Sequence, residues 1–171
     1  LLAQAGQWSE AVELYEREIE ILGDQEPGRR QSLWLQVAEI SLATLADPNR
    51  ALRGYEEAAR IGGLQPAAVR AWADLYLSTG HPERHVEVFA QWCDDALANA
   101  TGHDHMALAR RLEDLGRRDE ALARAARATA VVAMIAQLAV EGGDEGSAET
   151  AVWAEATLHT VHSHLRDHVP A

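Results

Sequence analysis

The sequence predicts an all-α protein assembled as a solenoid of repeated helix pairs. Three observations carry this prediction. Ala, Leu, Glu, Arg and Gln, which are strong helix formers, are abundant among the 171 residues. One short pattern returns about every 34 to 40 residues, starting at positions 6, 46, 80 and 116. Between its copies, apolar residues follow the three- and four-residue spacing of an amphipathic helix.

The recurring pattern marks the second helix of each pair. It reads "GQWSEAVELYE" at 6–16, "ADPNRALRGYE" at 46–56, "GHPERHVEVFA" at 80–90 and "GRRDEALARAA" at 116–126. Two of its positions are predicted packing positions, one mostly small and one mostly aromatic: Ala11, Ala51, His85 and Ala121, then Tyr15, Tyr55, Phe89 and Ala125. The large imidazole of His85 either splays its helix pair or tucks against a neighbour. Recurrence at this period predicts stacked units that bury a continuous core.

Turn residues precede the pattern. Gly6, Gly80 and Gly116 predict a turn ahead of three copies, and Ala46 replaces glycine in the second copy.

Proline predicts where two of these helices begin. Pro48 and Pro82 occupy the same slot, just inside the helix, where a missing N–H group costs nothing. Asp47 ahead of Pro48 is a natural N-cap. The turn of this second copy, "LADPNRA", is one residue longer than the others.

A different segment precedes each later copy and predicts the first helix of the pair. The segments are "LWLQVAEISLATL" at 33–45, "AVRAWADLYLSTG" at 68–80 and "HMALARRLEDLG" at 105–116. Each contains a small residue that permits close antiparallel packing: Ala38, Ala73 and Ala109. Three larger side chains are predicted to be buried anchors: Trp34, Trp72 and Tyr55.

These residues resemble the tetratricopeptide repeat (TPR) family, whose repeat is about 34 residues long. The resemblance rests on three sets: Trp72, Ala73, Tyr76, Gly80 and Phe89; Leu108, Ala109, Leu112, Gly116 and Ala121; and Trp34, Val37, Ala38, Ala51, Tyr55 and Ala58. It implies a right-handed, TPR-like α-solenoid of antiparallel helix pairs, with about 3.5 repeats and a C-terminal capping helix region. The implied repeats lie within residues 1–132, as a partial repeat at 1–22 and further repeats at 31–63, 66–99 and 102–132.

Three segments depart from the repeat. Residues 23–32 are longer than the usual link and are expected to form a loop. Residues 119–141 contain no helix-ending Gly, Pro or Asn, so they form either one long helix or two helices with a tight bend. Residues 133–171 are expected to be a degenerate last repeat or capping helices.

Composition excludes several classes of function. The net charge of −12 argues against general nucleic-acid binding, and every basic residue is Arg. No apolar run approaches the roughly 18 residues that a membrane span needs, so no membrane partner is expected. Since the chain opens inside a repeat, we expect a fragment of a larger bacterial protein, located in the cytoplasm.

Catalytic and metal-binding motifs are sparse. No phosphate-binding loop, dinucleotide-binding motif or nucleophile elbow occurs, so the sequence predicts neither an enzyme nor a cofactor site. Cys93 is the single cysteine and is predicted to be a buried apolar residue. The paired histidines of the C-terminal segment, His159 with His162 and His164 with His168, share helix faces and leave zinc binding as an alternative.

The resemblance implies a partner-binding groove lined by the first helix of each pair. The exposed positions mapped to it are Leu35, Glu39, Leu42, Arg70, Asp74, Leu77, Met106, Arg110 and Glu113. Glu39 and Asp74 would repel a carboxylate, so binding of a chaperone's C-terminal tail is rejected. A stripe of six arginines between 110 and 127 is interleaved with acidic residues, which favours a salt-bridged surface.

The preferred hypothesis is a non-catalytic protein-interaction module that binds a peptide or helix in this groove. One alternative is a sensor or regulatory domain of a multidomain signalling ATPase or kinase. Another is a metal-binding module that uses the C-terminal histidines. The last predicted helix could also pair two copies of the chain around Trp153.

Overall fold

The computed structural model describes residues 2–95, 98–142 and 159. Its seven helices are α1 (Leu2–Leu22), α2 (Pro27–Ala43), α3 (Pro48–Ile61), α4 (Pro66–Ser78), α5 (Pro82–Asp94), α6 (Gly102–Asp114) and α7 (Arg118–Gly142). No strand occurs among these residues. The all-α prediction is therefore confirmed.

Proline starts four consecutive helices, α2 to α5. Its fixed φ suits the first helical position, where no intrahelical N–H bond is lost. The predicted cap on α3 is present, because the Asp47 side chain accepts a hydrogen bond from the Arg50 amide at 3.0 Å. The helix α6 begins with a reciprocal cap, in which Thr101 Oγ1 accepts from the Asp104 amide and the Asp104 carboxylate accepts from the Thr101 amide.

The turns within the helix pairs use the left-handed backbone conformation that the glycine pattern predicts. Gly80 has φ +81° and Gly116 has φ +75°. Each is followed by an amide that bonds back across the helix end, from His81 to the Tyr76 carbonyl and from Arg117 to the Leu112 carbonyl. In the second copy Ala46 itself adopts φ 51°. There the closing bond runs from the Asp47 amide to the Ser41 carbonyl, one residue further, which confirms the longer turn.

Ala46→Gly is expected to stabilise the protein by about 0.5 to 1 kcal/mol, because glycine adopts the left-handed conformation without the steric cost of a Cβ. Urea denaturation followed by circular dichroism measures this change. The reverse substitution at the equivalent turn, Gly80→Ala, is the matched control and is expected to destabilise by a similar amount. Equal midpoints for Ala46→Gly and wild type would contradict the prediction.

The structure corrects two local predictions and decides between two alternatives at a third place. Gly6 lies inside α1 and does not form a turn, because the helix continues on both sides of it. Residues 23–32 are not a loop throughout, since α2 already begins at Pro27, after Glu26 takes a left-handed φ of 48°. The alternatives for residues 119–141 are resolved as one long helix, α7.

The chain forms two compact units, Leu1–Val88 and Phe89–Ala171. In unit 1, α2 packs on α3, and α1 packs on α2. In unit 2, α6 packs on α7, and Met106, Ala109, Ala125 and Ala128 form a buried cluster. The residue boundaries of the individual repeats stay a prediction.

The small residues of the first helices are completely buried, as expected. Ala38, Ala73 and Ala109 each have 0% exposure. The imidazole of His85 is tucked inward, where Nδ1 lies 2.8 Å from the Ala73 carbonyl oxygen. His85 therefore takes the place of a small residue by bonding the first helix of its pair.

The three predicted anchors divide into two groups. Tyr55 is buried, with 3% exposure, which confirms its predicted role. Trp34 and Trp72 are half-buried, which corrects theirs. Each of these two rings has one side that does not pack in the core. The Arg53 guanidinium lies 5.6 Å from the centroid of the Trp34 ring. Trp72 lines an open surface depression.

Candidate functional site

We give the name first-helix face to the solvent-facing residues of α2 and α4, two helices of unit 1. On α2, the predicted positions Leu35, Glu39 and Leu42 follow four- and three-residue steps and so share one side of the helix. Glu39 and Leu42 are exposed, and Leu35 is half-buried. Leu42 retains 37% exposure although it is fully apolar. The structure thus places all three predicted α2 residues at the surface.

On α4, the predicted positions are Arg70, Asp74 and Leu77. Asp74 is exposed, while Arg70 and Leu77 are half-buried. The Arg70 guanidinium donates from Nε to Asp74 Oδ2 at 3.2 Å, as one turn of helix allows. The two charges therefore compensate each other within the first-helix face.

On α6, in unit 2, one predicted position is corrected. Met106 has 6% exposure and packs in the core cluster with Ala109, Ala125 and Ala128. A single residue step along a helix rotates a side chain by about 100°, so Ala107, not Met106, is exposed. Arg110 is exposed and Glu113 is half-buried. With Ala107, they line an open depression of about 400 Å³ on this helix.

An ion-pair cluster in unit 2 joins the end of α5 to α7. The Asp94 carboxylate accepts hydrogen bonds from both terminal nitrogens of Arg124, at 2.6 and 2.7 Å. Arg127 lies 2.9 Å from the same carboxylate. These hydrogen bonds hold the pKa of Asp94 below its usual value. The pairing of Asp94 could not be predicted from the sequence, because Arg124 lies 30 residues away in the chain, beyond any local helical spacing.

The rest of the arginine stripe follows its predicted local pairing in part. Arg117 binds Glu120 at 2.7 Å, and Arg111 lies 3.8 Å from Asp114. In each pair the two residues are three positions apart, one pair within α6 and the other at the start of α7, which confirms a salt-bridged surface there.

His105 is buried beside this cluster, with 3% exposure. Burial lowers its pKa below the ordinary value of 6.5, and the positive charges of Arg124 and Arg127 lower it further, while Asp94 and Asp104 raise it. Its Nδ1 atom has no hydrogen-bond partner. The folded protein therefore favours a neutral imidazole at this position.

We expect stability to fall on acidification through His105. Because burial lowers the pKa of His105 in the folded protein, the stability that its neutral form contributes is fully present above pH 6.5. This stability is lost as the pH falls from 6.5 through the folded-state pKa. Urea denaturation at a series of pH values measures the loss, and His105→Gln should flatten it. His103, which is exposed on the same helix, supplies the control variant His103→Gln. Identical pH profiles for His105→Gln and wild type would contradict the prediction.

A second surface depression, of about 500 Å³, lies in unit 1 and was not predicted. Glu56, Ala59, Arg60, Trp72, Tyr76 and Arg84 line it. The Tyr76 hydroxyl donates to Glu56 Oε1 at 2.6 Å. Burial, with this hydrogen bond, raises the pKa of Tyr76 to about 12. Tyr76 was identified from the sequence only as a packing residue, because its partner Glu56 belongs to the preceding helix pair.

The described part of the chain shows neither a metal-binding group nor a membrane-spanning helix. No group of three or more His, Cys, Asp or Glu side chains able to hold a metal ion occurs there. Of the C-terminal histidines, His162, His164 and His168 lie outside the described residues, as does Trp153. Cys93 is buried, as predicted. None of the described helices combines the length and hydropathy required to cross a membrane.

Comparisons with known proteins find likeness at the level of structure. No protein-family model matches the sequence, and no curated protein matches it. Among solved structures, MamA aligns over 97% of this chain and 95% of its own, with a TM-score of 0.51 and 10% identity. BtubC from P. vanneervenii aligns over 99% of this chain and 78% of its own, with a TM-score of 0.50 and 15% identity.

Both are TPR-like repeat proteins. The chain has a TPR-like fold. The seven helices of the described residues fit about three TPR-like repeats and one additional helix. A Podosopora anserina kinesin light chain with nearly identical TPR-like repeats also aligns, over 94% of this chain and 91% of its own, with a TM-score of 0.48 and 19% identity. The alignments with MamA and BtubC confirm, for the fold, the resemblance drawn from Ala38, Tyr55 and Ala73.

Proposed function

We propose that this TPR-like chain is a non-catalytic protein-interaction module that binds a peptide or helix of a partner protein on the first-helix face. The observation that carries the proposal is the exposure of Leu42, an apolar side chain that is not buried in the core. Leu35 and Leu77 add half-buried apolar surface on the same pair of helices. Apolar side chains that remain at the surface of a rigid scaffold are typical anchors for a helix or an extended peptide.

The fold supports this proposal in general terms, because helical repeats are suited to extended binding surfaces. Each helix pair buries one side against its neighbours, so its remaining side is free to vary without loss of the core. On α2 the buried side contains Leu33, Val37, Ala38 and Ser41. Glu39 and Leu42 lie outside it, so substitutions there should alter binding while the fold persists.

Capture of partners by the immobilised chain tests the proposed function. Leu42→Asp is expected to reduce capture of a specific partner at least about tenfold, because a charge placed in the contact must lose its hydration. Leu14→Asp is the matched control, since Leu14 lies on α1 and is 61% exposed. Far-ultraviolet circular dichroism verifies that both variants fold. Equal capture by wild type and both variants would overturn the proposal.

A further inference from the structure

The first-helix face is poor in charge compared with the other helices. The two arginines in the first turn of α2, Arg29 and Arg30, form ion pairs, and Glu39 is the single charged residue of α2 after them. The charged residues of α4 are Arg70 and Asp74, and these two form an ion pair. The whole face thus carries about one uncompensated charge in a protein whose net charge is −12.

Other helices of the chain show the opposite composition. On α1 the exposed surface carries Glu10, Glu13, Arg17 and Glu20. On α6 the surface around the open depression is dense in charge, with Arg110, Arg111, Glu113 and Asp114. Charge depletion is therefore a property of α2 and α4 and not of the chain as a whole. Depletion of charged residues marks the centre of protein interfaces, whereas total apolar area does not.

Small side chains accompany this depletion. Ala43 on α2 and Ala67 on α4 are exposed, and Ala71 is half-buried. Small residues lower the relief of a helix surface, so that the backbone of an incoming segment can approach closely. The larger Leu35, Leu42 and Leu77 then provide the apolar contact area.

Because the first-helix face combines few charged residues with exposed small and apolar ones, we propose that its occupant is an apolar segment of a partner protein. This segment has little charge of its own and is held by side-chain burial. This inference rests on the proposed function and specifies its partner. A strongly acidic segment would meet Glu39 and the overall negative charge of the chain. A strongly basic segment would find more numerous acidic partners on α1, through Glu10, Glu13 and Glu20.

Burial and ion pairing differ in their response to salt. Exposed charge pairs are screened when the ionic strength rises, since the Debye length falls from about 10 Å at 0.1 M to about 3 Å at 1 M. Apolar burial is not weakened by this screening. We therefore expect the dissociation constant to change by less than about threefold between 0.1 and 0.5 M sodium chloride.

A library of random twelve-residue peptides displayed on phage, selected on the immobilised full chain, tests the inference. The expected peptides are enriched in Leu, Ile, Val, Phe and Met and carry few charges. Selected peptides, made synthetically, are then titrated by fluorescence anisotropy at both salt concentrations. Leu42→Asp should weaken their binding at least about tenfold, whereas Leu14→Asp should leave it unchanged within about twofold.

The outcomes separate this inference from the proposed function. If no selected peptide depends on Leu42, the proposed function and the inference both fail. If peptides depend on Leu42 but are rich in Arg, Lys, Asp or Glu and lose affinity steeply with salt, the inference alone fails. Leu42→Ser, which adds no charge, provides a second variant, and its weaker binding would support burial as the cause.

The alternative occupant of the first-helix face is a second copy of the chain. It could present the exposed Leu14 and Ile21 of α1, which have 61% and 85% exposure. Sedimentation velocity at several concentrations resolves this case. A dimer that both Leu42→Asp and Leu14→Asp dissociate would overturn the assignment of a separate partner. A monomer that binds the selected peptides supports it.

Discussion

Gly54→Ala is expected to destabilise the protein by about 2 kcal/mol, although alanine is the better helix former. A Cβ on Gly54 would lie 2.9 Å from the Ala38 Cβ and equally close to the Trp34 carbonyl oxygen. Because the latter is a backbone atom, α2 and α3 must move apart. Such overpacking lowers the free energy of unfolding by about 1 to 3 kcal/mol and occasionally more. The higher helix propensity of alanine offsets about 1 kcal/mol of this loss.

Urea denaturation followed by circular dichroism measures this loss, and Gly6→Ala is its control. Gly6 is also inside a helix, but nothing lies within 4 Å of the position that its Cβ would occupy. Only the propensity effect acts there, so Gly6→Ala should be neutral or slightly stabilising. Gly54→Val should destabilise more than Gly54→Ala, because it adds two methyl groups at the same contact. A Gly54→Ala variant as stable as Gly6→Ala would show that α2 and α3 do not approach as described.

Asp94→Asn is expected to destabilise the protein by about 1 to 2 kcal/mol, since the pair is bidentate but its carboxylate is 40% exposed. The substitution keeps the size of the side chain but removes the charge that two guanidinium groups share. The Arg124 side chain is only 18% exposed, so its charge would remain partly buried with a weaker partner. Breaking such a pair from one side costs more than the pair contributes, because the remaining charge stays desolvated.

Thermal and urea unfolding of Asp94→Asn measure this effect, with Asp114→Asn as the control. Asp114 is 70% exposed and lies 3.8 Å from Arg111, so its loss should cost less than about 0.5 kcal/mol. Since the pKa of Asp94 is lowered, its contribution is present above pH 3.8 and is lost as the pH falls through the folded value. The difference between Asp94→Asn and wild type should therefore shrink in strong acid. A constant difference from pH 7 to strong acid would contradict this account.

Much of the local structure could be predicted because it depends on local rules. The helix start at Pro48 and its Asp47 cap follow from residues three positions apart. The turns at Gly80 and Gly116 follow from the left-handed conformation that glycine tolerates. The small residues Ala38 and Ala73 could be assigned to helix contacts because the same position recurs in successive copies. Recurrence supplied the information that one copy alone lacks.

The features that the sequence did not predict correctly are those that depend on packing between helices. Met106 and Ala107 are adjacent, and only the packing of α6 on α7 decides which one is buried. The close approach of Gly54 to Ala38 depends on the distance between two helices, which no pattern within one helix can indicate. Tyr76 and Glu56 meet across consecutive helix pairs, which no spacing within one helix can indicate.

The sequence by itself determined the class of the fold, the order of the helices and the chemistry of their ends, because these depend on helix propensity, periodicity and backbone conformation. Tertiary structure alone decided how closely α2 and α3 pack, which carboxylate holds Arg124, and how far Leu42 remains exposed. Those features depend on distances between helices, and many residues far apart in the chain set each distance together. The proposed binding surface belongs to this second group, since exposure is what remains after all packing is complete.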